Sequence, residues 1–196
     1  MRCSVLIRLS AALLATRLAG AAFALIGFAA LALSAPAAQA AAPSISVRSD
    51  QDLRFGVFFT DTAGSRTVSS SGAISGTSIV PIGASSAGPA QFTITYDRGN
   101  NANASYALQV QLIISGVTVR VGGVTGVLSS FSTDLPGVGT LLPGQAAFYT
   151  IKGCQRQICT QTFRVGGRID ITRTSGGAAL AIALPLTVVL IAEVPA

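Results

Sequence analysis

The sequence predicts a single all-β sandwich of about eight to ten short strands in residues 41–196. Apolar residues recur at every second position over residues 92–96 and again over residues 106–114, which is typical of strands with one buried face. The composition agrees, because Val, Ile, Thr, Ser and Gly are abundant, Glu and Lys are scarce, and no amphipathic helical pattern appears. Strand-like runs at intervals of about ten residues favour a sandwich over other all-β folds.

The clearest strand signal lies in residues 88–115, where the two alternating runs are joined by a loop of Asp, Gly and Asn. We expect these runs to form a β-hairpin that organises the sheet. Phe92, Ile94 and Tyr96 would then face the core, and the threonines between them would face water.

The loop between these runs contains the best cluster of polar oxygens in the sequence: Asp97, Asn100, Asn101 and Asn103. A calcium site needs several oxygen ligands of this kind. The same residue types tolerate turn conformations, however, and a single carboxylate gives calcium little charge. We therefore interpret the cluster as a structural turn and predict no metal site.

Residues 1–40 predict a helical signal peptide. Three arginines form a basic leading region, an uncharged apolar run follows, and small residues lead to cleavage between Ala40 and Ala41. An uncleaved membrane anchor is the alternative, but the apolar run is near the short end of the length that a spanning helix needs. We expect an exported protein in the periplasm, at the cell surface or outside the cell, with no stable membrane span after cleavage.

Loss of this leader changes the charge of the chain. Three of the thirteen basic residues lie in it and none of the seven acidic ones does, so the net charge falls from +6 to +3. The remaining positive charges are scattered and form no basic run. Nucleic-acid binding is not expected, because it needs a patch that neutralises several phosphates.

Two cysteines remain in the mature segment, Cys154 and Cys159. An even pair in an exported chain predicts a disulfide, which in the chain-entropy model would stabilise so short a loop by about 2 kcal/mol. Two free thiols are the alternative, and a metal site is disfavoured because the chain has no histidine. We interpret residues 153–159 as the tip of a hairpin whose return strand is residues 160–165.

The other expected elements follow from shorter patterns. Strands are predicted near residues 45–47, 53–57, 117–121, 124–131, 146–151 and 169–171, with short strands and turns in 60–86 and a loop over 133–144. Gly122 and Gly123 are interpreted as a turn, since no lysine of a phosphate-binding loop accompanies them. Gly166 and Gly167 are expected to interrupt a strand, and residues 178–194 are expected to form a buried strand with a bulge at Pro185.

The sequence predicts no catalytic residue and no cofactor. Without a histidine, nucleophilic catalysis of the Ser-His-Asp or Cys-His kind lacks its base. The seven carboxylates are scattered, and several lie beside turns. A Lys152 base beside a serine is the remaining catalytic alternative, and we expect no enzyme.

Four short segments occur in an order that resembles a known family: residues 53–56 (LRFG), 88–94 (GPAQFTI), 103–106 (NASY) and 163–167 (FRVGG). They resemble a bacterial exported family catalogued as a domain of unknown function, DUF4402, over most of residues 53–194. The resemblance implies a small immunoglobulin-like, pilin-like sandwich and carries over no catalytic residues. The cysteine pair and Pro185 depart from the family pattern, which weakens the case for pilus-type assembly.

Two classes of function follow from these observations. The first is a structural or adhesive component of the cell surface, pairing its sheet edges with itself or with other surface subunits, with residues 42–47 as a candidate donor segment. The alternative is a periplasmic or secreted ligand-binding module that works through loops at one end of the sandwich. In that alternative Arg164, Arg168 and Arg173 would contact an anion, although they also fit a solvated strand face.

Overall fold

The computed structural model describes residues 41–82, 86–99, 104–174 and 178–195. These residues form fourteen β-strands and no helix, which confirms the all-β class. The number of strands exceeds the expected one because segments with weak apolar patterning also form strands, some of only two to six residues. Residues 1–40, with the predicted leader and Ala40, lie outside the described residues.

The largest sheet has eight strands. They are β1 (Ser44–Gln51), β3 (Ala63–Val68), β4 (Ile74–Thr77), β6 (Ala90–Asp97), β8 (Thr118–Val121), β9 (Val124–Thr133), β10 (Thr140–Leu141) and β12 (Ile158–Arg173). The first half of β12 pairs with β6, and its second half runs between β3 and β9. β12 is therefore the strand on which this sheet is built.

Two three-stranded sheets complete the fold. One contains β2 (Leu53–Phe59), β5 (Val80–Pro81) and β13 (Ala178–Ile182), in the order β13-β2-β5. The other contains β7 (Tyr106–Ile114), β11 (Ala146–Cys154) and β14 (Leu186–Pro195), in the order β11-β7-β14. Side chains from all three sheets form one apolar core, whose largest fully buried members include Phe55, Tyr96, Tyr106, Phe131 and Phe163.

The expected hairpin in residues 88–115 is wrong. Both of its strands exist, as β6 and β7, but β6 pairs with β1 and β12 whereas β7 pairs with β11 and β14. The chain crosses from one sheet to the other between them, and Tyr96 and Tyr106 meet across the core with ring centroids 6.0 Å apart. Alternation identified the buried face of each strand correctly, but it carries no information about the strand alongside.

The cysteine segment differs from expectation in the same way. β11 and β12 are consecutive strands, yet they belong to different sheets and do not form the predicted hairpin. The disulfide between Cys154 and Cys159 is present, with the two Cα atoms 5.5 Å apart. It therefore links the end of a strand in one sheet to the start of a strand in the other.

The predicted interruption at Gly166 and Gly167 is also wrong, because β12 continues through both residues. Gly166 instead allows a close approach between two segments of the backbone. A Cβ at Gly166 would overlap the backbone of Val68 and Ser69, so the missing side chain allows the turn after β3 to lie directly on β12. The prediction for Gly122 and Gly123 is confirmed, since they form the two-residue turn between β8 and β9 with positive φ angles of 55° and 80°.

The C-terminal apolar segment forms two strands. Ala183, Leu184 and Pro185 separate β13 from β14, and the one irregularity in the pairing of β14 lies between Leu190 and Ala192. The expected single buried strand with a bulge at the proline is therefore wrong. Only alternate side chains of this segment are buried or half-buried, because each of the two strands has one face turned outwards. No helix in the described residues is long and apolar enough to cross a membrane.

Candidate functional site: an exposed sheet edge and its outer face

One end of the sandwich is closed by the disulfide and two tyrosines. Cys154 lies opposite Tyr106 in the pairing of β11 with β7, and Cys159 lies opposite Tyr96 in the pairing of β12 with β6. The covalent link and the aromatic contact therefore join the two sheets at the same level. The hydroxyl of Tyr106 donates a hydrogen bond of 2.7 Å to the carbonyl of Arg156, in the short segment that the disulfide closes.

A half-buried cluster of one acidic and one basic side chain adjoins these tyrosines. Glu193 on β14 forms an ion pair with Arg98 and accepts a hydrogen bond of 2.7 Å from the hydroxyl of Tyr96. The Arg98 guanidinium also lies 4.7 Å above the ring of Tyr106. Burial, together with the hydrogen bond to Glu193 and its charge, raises the pKa of Tyr96 to about 12. Glu193 thus links Arg98 to Tyr96 at this end of the sandwich, whereas Nη1 of Arg98 is buried and has no hydrogen-bond partner in the described part of the chain.

The predicted polar loop is only partly described. Asp97 accepts hydrogen bonds at Oδ1 from the backbone N–H of Gly99, at 2.8 Å, and from Nε2 of Gln157, at 3.1 Å. Asn100, Asn101 and Asn103 lie outside the described residues. Within the described ranges, no group of three or more His, Cys, Asp or Glu side chains is arranged to hold a metal ion.

Lys152 lies on β11 and lines two surface cavities. The described residues around it in both cavities include Thr150, Thr160 and Gln161 but no serine. The geometry around Lys152 therefore gives no support to a lysine-serine catalytic pair.

The three arginines proposed as anion contacts do not come together. Arg168 forms an ion pair with Asp170 at 3.0 Å on the exposed face of β12. Arg173 lies 4.8 Å above the ring of Phe59 and donates a hydrogen bond of 3.1 Å to the carbonyl of Thr60. Arg164 lines a separate polar cavity. An anion site that uses all three side chains does not exist in this arrangement.

The most prominent surface feature is the free edge of β14. Among the described residues, β14 pairs along its length with β7 on one side and with no strand on the other. Strand β1, at the edge of the large sheet, runs close to β14 without pairing with it. One side of the sandwich therefore has two edge strands next to each other.

The outer face of the β11-β7-β14 sheet continues this feature. Phe148 on β11 and Val189 on β14 lie opposite Gln111 on the central strand, so the three side chains form one row across the face. Phe148 is 67% exposed, Val189 is 42% exposed, and Ile191 beside it is 50% exposed. The three strands contain two charged residues, of which Glu193 points into the sandwich and Lys152 lies at the far end of β11.

This surface does not follow from the prediction that residues 178–194 form a buried strand. A long uncharged run has two explanations, a strand buried on both faces or a strand whose outer face contacts another molecule. Glu193, near the end of the run, distinguishes the two explanations. Its side chain points into the sandwich and contacts Tyr96 and Arg98, so the opposite face of the strand is turned outwards.

The fold and its surface define an all-β sandwich domain with a free apolar edge. The chain belongs to the family described as a domain of unknown function, DUF4402, whose model matches residues 45–189. This match supports the resemblance found in the short sequence segments. No curated protein and no solved structure matches the chain.

Proposed function

We propose that this protein is a non-enzymatic structural or adhesive component of the bacterial cell surface, exported by its N-terminal leader, and that it assembles by pairing β14 with β14 of a second copy. The free edge of β14 is the observation that carries the proposal. An unpaired strand presents a row of N–H and C=O groups that can pair with another strand.

Natural proteins usually protect such edges with charges, prolines or bulges. The residues Leu186–Leu190 have none of these, and their pairing with β7 is regular. Pro185 directly precedes this segment, and the bulge between Leu190 and Ala192 and the inward-pointing Glu193 lie further along β14. The first half of the edge is therefore the part that is competent for pairing.

The candidate donor segment in residues 42–47 has a different position. Most of it belongs to β1, which pairs with β6 of the same chain from Ser44 to Gln51. Ile45 and Val47 pack against the core. This segment already completes its own sheet, so the pairing edge in our proposal is β14 and not β1.

A second copy is the occupant that this edge fits best. Antiparallel pairing of β14 with itself uses the same surface on both copies, as two-fold symmetry requires. The uncharged row of Phe148, Gln111 and Val189 would then continue across both molecules without bringing like charges together. A strongly charged partner would find no complementary charge on this face.

A lysine in place of Val189 should disrupt this assembly. We expect sedimentation velocity of the purified full-length chain to show a concentration-dependent dimer, and V189K to weaken the association by at least about ten-fold, because symmetric pairing brings the two introduced charges near each other. V127K is the matched control. Val127 is exposed to a similar degree, 46%, but lies on β9, which has strands on both sides.

A wild-type chain that stays monomeric at all concentrations would contradict edge pairing. Equal weakening of the self-association by V189K and V127K would also contradict it, because the effect would then come from added positive charge anywhere on the surface and not from the edge of β14. Dimers that resist detergent but dissociate on heating would support the proposal, since the backbone hydrogen bonds of paired strands resist detergent.

Export has its own test. Protein recovered from outside the bacterial cytoplasm should have the mass of a chain that begins at Ala41, lighter by the two hydrogens lost when Cys154 and Cys159 form their disulfide. An intact-mass spectrum before and after reduction measures both properties. A chain that stays in the cytoplasm with free thiols would contradict export. An exported chain that retains its first forty residues would contradict cleavage and favour the membrane anchor.

A further inference from the structure

A polar cavity of about 300 Å³ lies on the opposite sheet from the proposed assembly face. Four chain segments that are far apart in sequence form it: the end of β1 with the start of β2, the turn after β3 at Ser71, the segment before and at the start of β6, and the middle of β12. Its polar lining consists of Arg54, Arg164, Gln51, Gln91 and Ser71. The cavity is thus bordered by two guanidinium groups, two amides and a hydroxyl.

Strand pairing positions one side of this cavity. Gln51 on β1 and Arg164 on β12 both lie opposite Gln91 on β6. Side chains opposite each other on adjacent strands share one face of the sheet, with Cβ atoms about 5 Å apart. The amides and the guanidinium therefore form a row on the outer face, while neighbouring Phe92 and Phe163 stack on the inner face.

Arg54 forms the other side. Its backbone exchanges two hydrogen bonds with Gly88, of 2.9 and 2.8 Å, which fix β2 against the start of β6. Its Nε is buried and donates to no acceptor in the described part of the chain. A buried N–H group without an acceptor lowers the stability of the fold. A ligand bound in the cavity would explain why an arginine occupies this position.

Gly88 keeps the cavity open beside Arg54. A Cβ at Gly88 would lie 3.4 Å from Nη2 of Arg54 and 3.6 Å from Nε2 of Gln51. A larger side chain would therefore occupy space next to the guanidinium. The absence of a side chain at this position leaves space beside Nη2 of Arg54.

The charges around the cavity favour an anion. No Asp or Glu is among the described residues that line it. The nearby carboxylate of Asp134 accepts a 2.7 Å hydrogen bond from the backbone N–H of Arg164. The carboxylate of Asp50, which accepts a hydrogen bond from Thr93 further along β6, forms an ion pair with Arg48. Two guanidinium groups without a lining carboxylate attract anions, and the planar array of donors on arginine matches carboxylate, sulfate and phosphate.

We propose that the cavity between Arg54 and Arg164 binds an oxyanionic group, either a free inorganic oxyanion or the carboxylate of an acidic sugar. Arg54 and Arg164 hold the charged oxygens, and Gln51, Gln91 and Ser71 supply neutral hydrogen bonds beside them. The three segments 53–56, 88–94 and 163–167, which are separate short motifs in the sequence, each contribute lining residues. This site is independent of the edge of β14, so either one can exist without the other.

The test follows the Nε–H signals of the arginine side chains in the ¹⁵N-labelled full-length chain. Sodium sulfate, sodium phosphate and sodium glucuronate are titrated separately, with sodium chloride at matched ionic strength as the reference. We expect a saturable shift of the Arg54 signal with at least one oxyanion and none with chloride. Saturation by glucuronate alone assigns the site to an acidic sugar, and saturation by sulfate or phosphate assigns it to an inorganic oxyanion.

Substitutions locate the effect. R164Q should weaken the binding at least about ten-fold, the factor expected for one charge-assisted hydrogen bond, and its exposed position leaves the core intact. G88A should also weaken it while retaining both arginines. R120Q is the control with the same change in charge, at an exposed position on β8 outside the cavity.

Three results would overturn the proposal. These are the absence of a saturable shift with all three oxyanions, an equal shift with chloride, and equal weakening by R120Q and R164Q. The last result would show general attraction to a positively charged protein in place of a site.

Discussion

Replacing Phe92 with alanine is expected to lower the free energy of unfolding by about 3–5 kcal/mol. Phe92 lies on the inner face of β6 and is only 2% exposed. Its ring stacks on Phe163 of the adjacent strand β12, with ring centroids 5.8 Å apart. The substitution would remove this contact and leave a cavity at the strand pair on which the large sheet depends.

Phe148 provides the matched control, because it is the same residue type on a strand of the same fold but is 67% exposed. F148A should change the free energy of unfolding by less than about 1 kcal/mol. Urea denaturation of both variants, compared with the wild type, measures the difference. A loss below about 1 kcal/mol for F92A would show that the buried face of β6 has been assigned incorrectly.

The buried face of β6 could be predicted from sequence because it depends on local periodicity. Phe92, Ile94 and Tyr96 alternate with threonines, and all three are at most 2% exposed. The partner of β6 could not be predicted in the same way. Pairing depends on contacts between distant segments, so adjacent strands in sequence were assigned to a hairpin when they in fact face each other across the core.

The same limit applies to the candidate sites. The sequence groups Arg164 with Arg168 and Arg173, because all three lie in one stretch of the chain. The structure instead places Arg164 beside Arg54, a residue that no local pattern connects with it. Their proximity follows from two non-local facts, the pairing of β6 with β12 and the bridge between Arg54 and Gly88.

The edge of β14 shows how composition alone can mislead. Its Val, Ile and Leu residues indicate a strand correctly, but apolar composition does not distinguish a strand inside a sheet from one at an edge. That distinction depends on the order of strands in the sheet, and this order is set when β7 pairs with both β11 and β14.

Alkaline pH is expected to destabilise the fold through the tyrosine cluster, mainly between pH 10 and 12. The pKa of Tyr96 is raised to about 12 in the folded chain, first by burial and then by its hydrogen bond to Glu193 and the charge of that residue, whereas an unfolded tyrosine has a pKa of about 10. Burial and the charge of Glu193 also raise the pKa of Tyr106.

The sign of the effect follows from proton binding. Above pH 10 the unfolded chain loses the Tyr96 proton while the folded chain keeps it, so the folded state binds more protons and its stability falls as pH rises. The contribution is complete below pH 10 and is lost as pH approaches 12. A shift of this size corresponds to about 2–3 kcal/mol, measured as the change in urea unfolding free energy between these limits.

The variant Y96F separates this effect from other alkaline processes. Phenylalanine cannot ionise, so the loss of stability between pH 10 and 12 should become smaller, even though the missing hydrogen bond to Glu193 lowers stability at neutral pH by about 1 kcal/mol. Tyrosinate absorbance of the folded wild type should likewise develop later than that of the unfolded chain. If Y96F loses as much stability as the wild type over this range, the sensitivity comes from other groups, and the Tyr96–Glu193 contact does not hold the phenol in its neutral form.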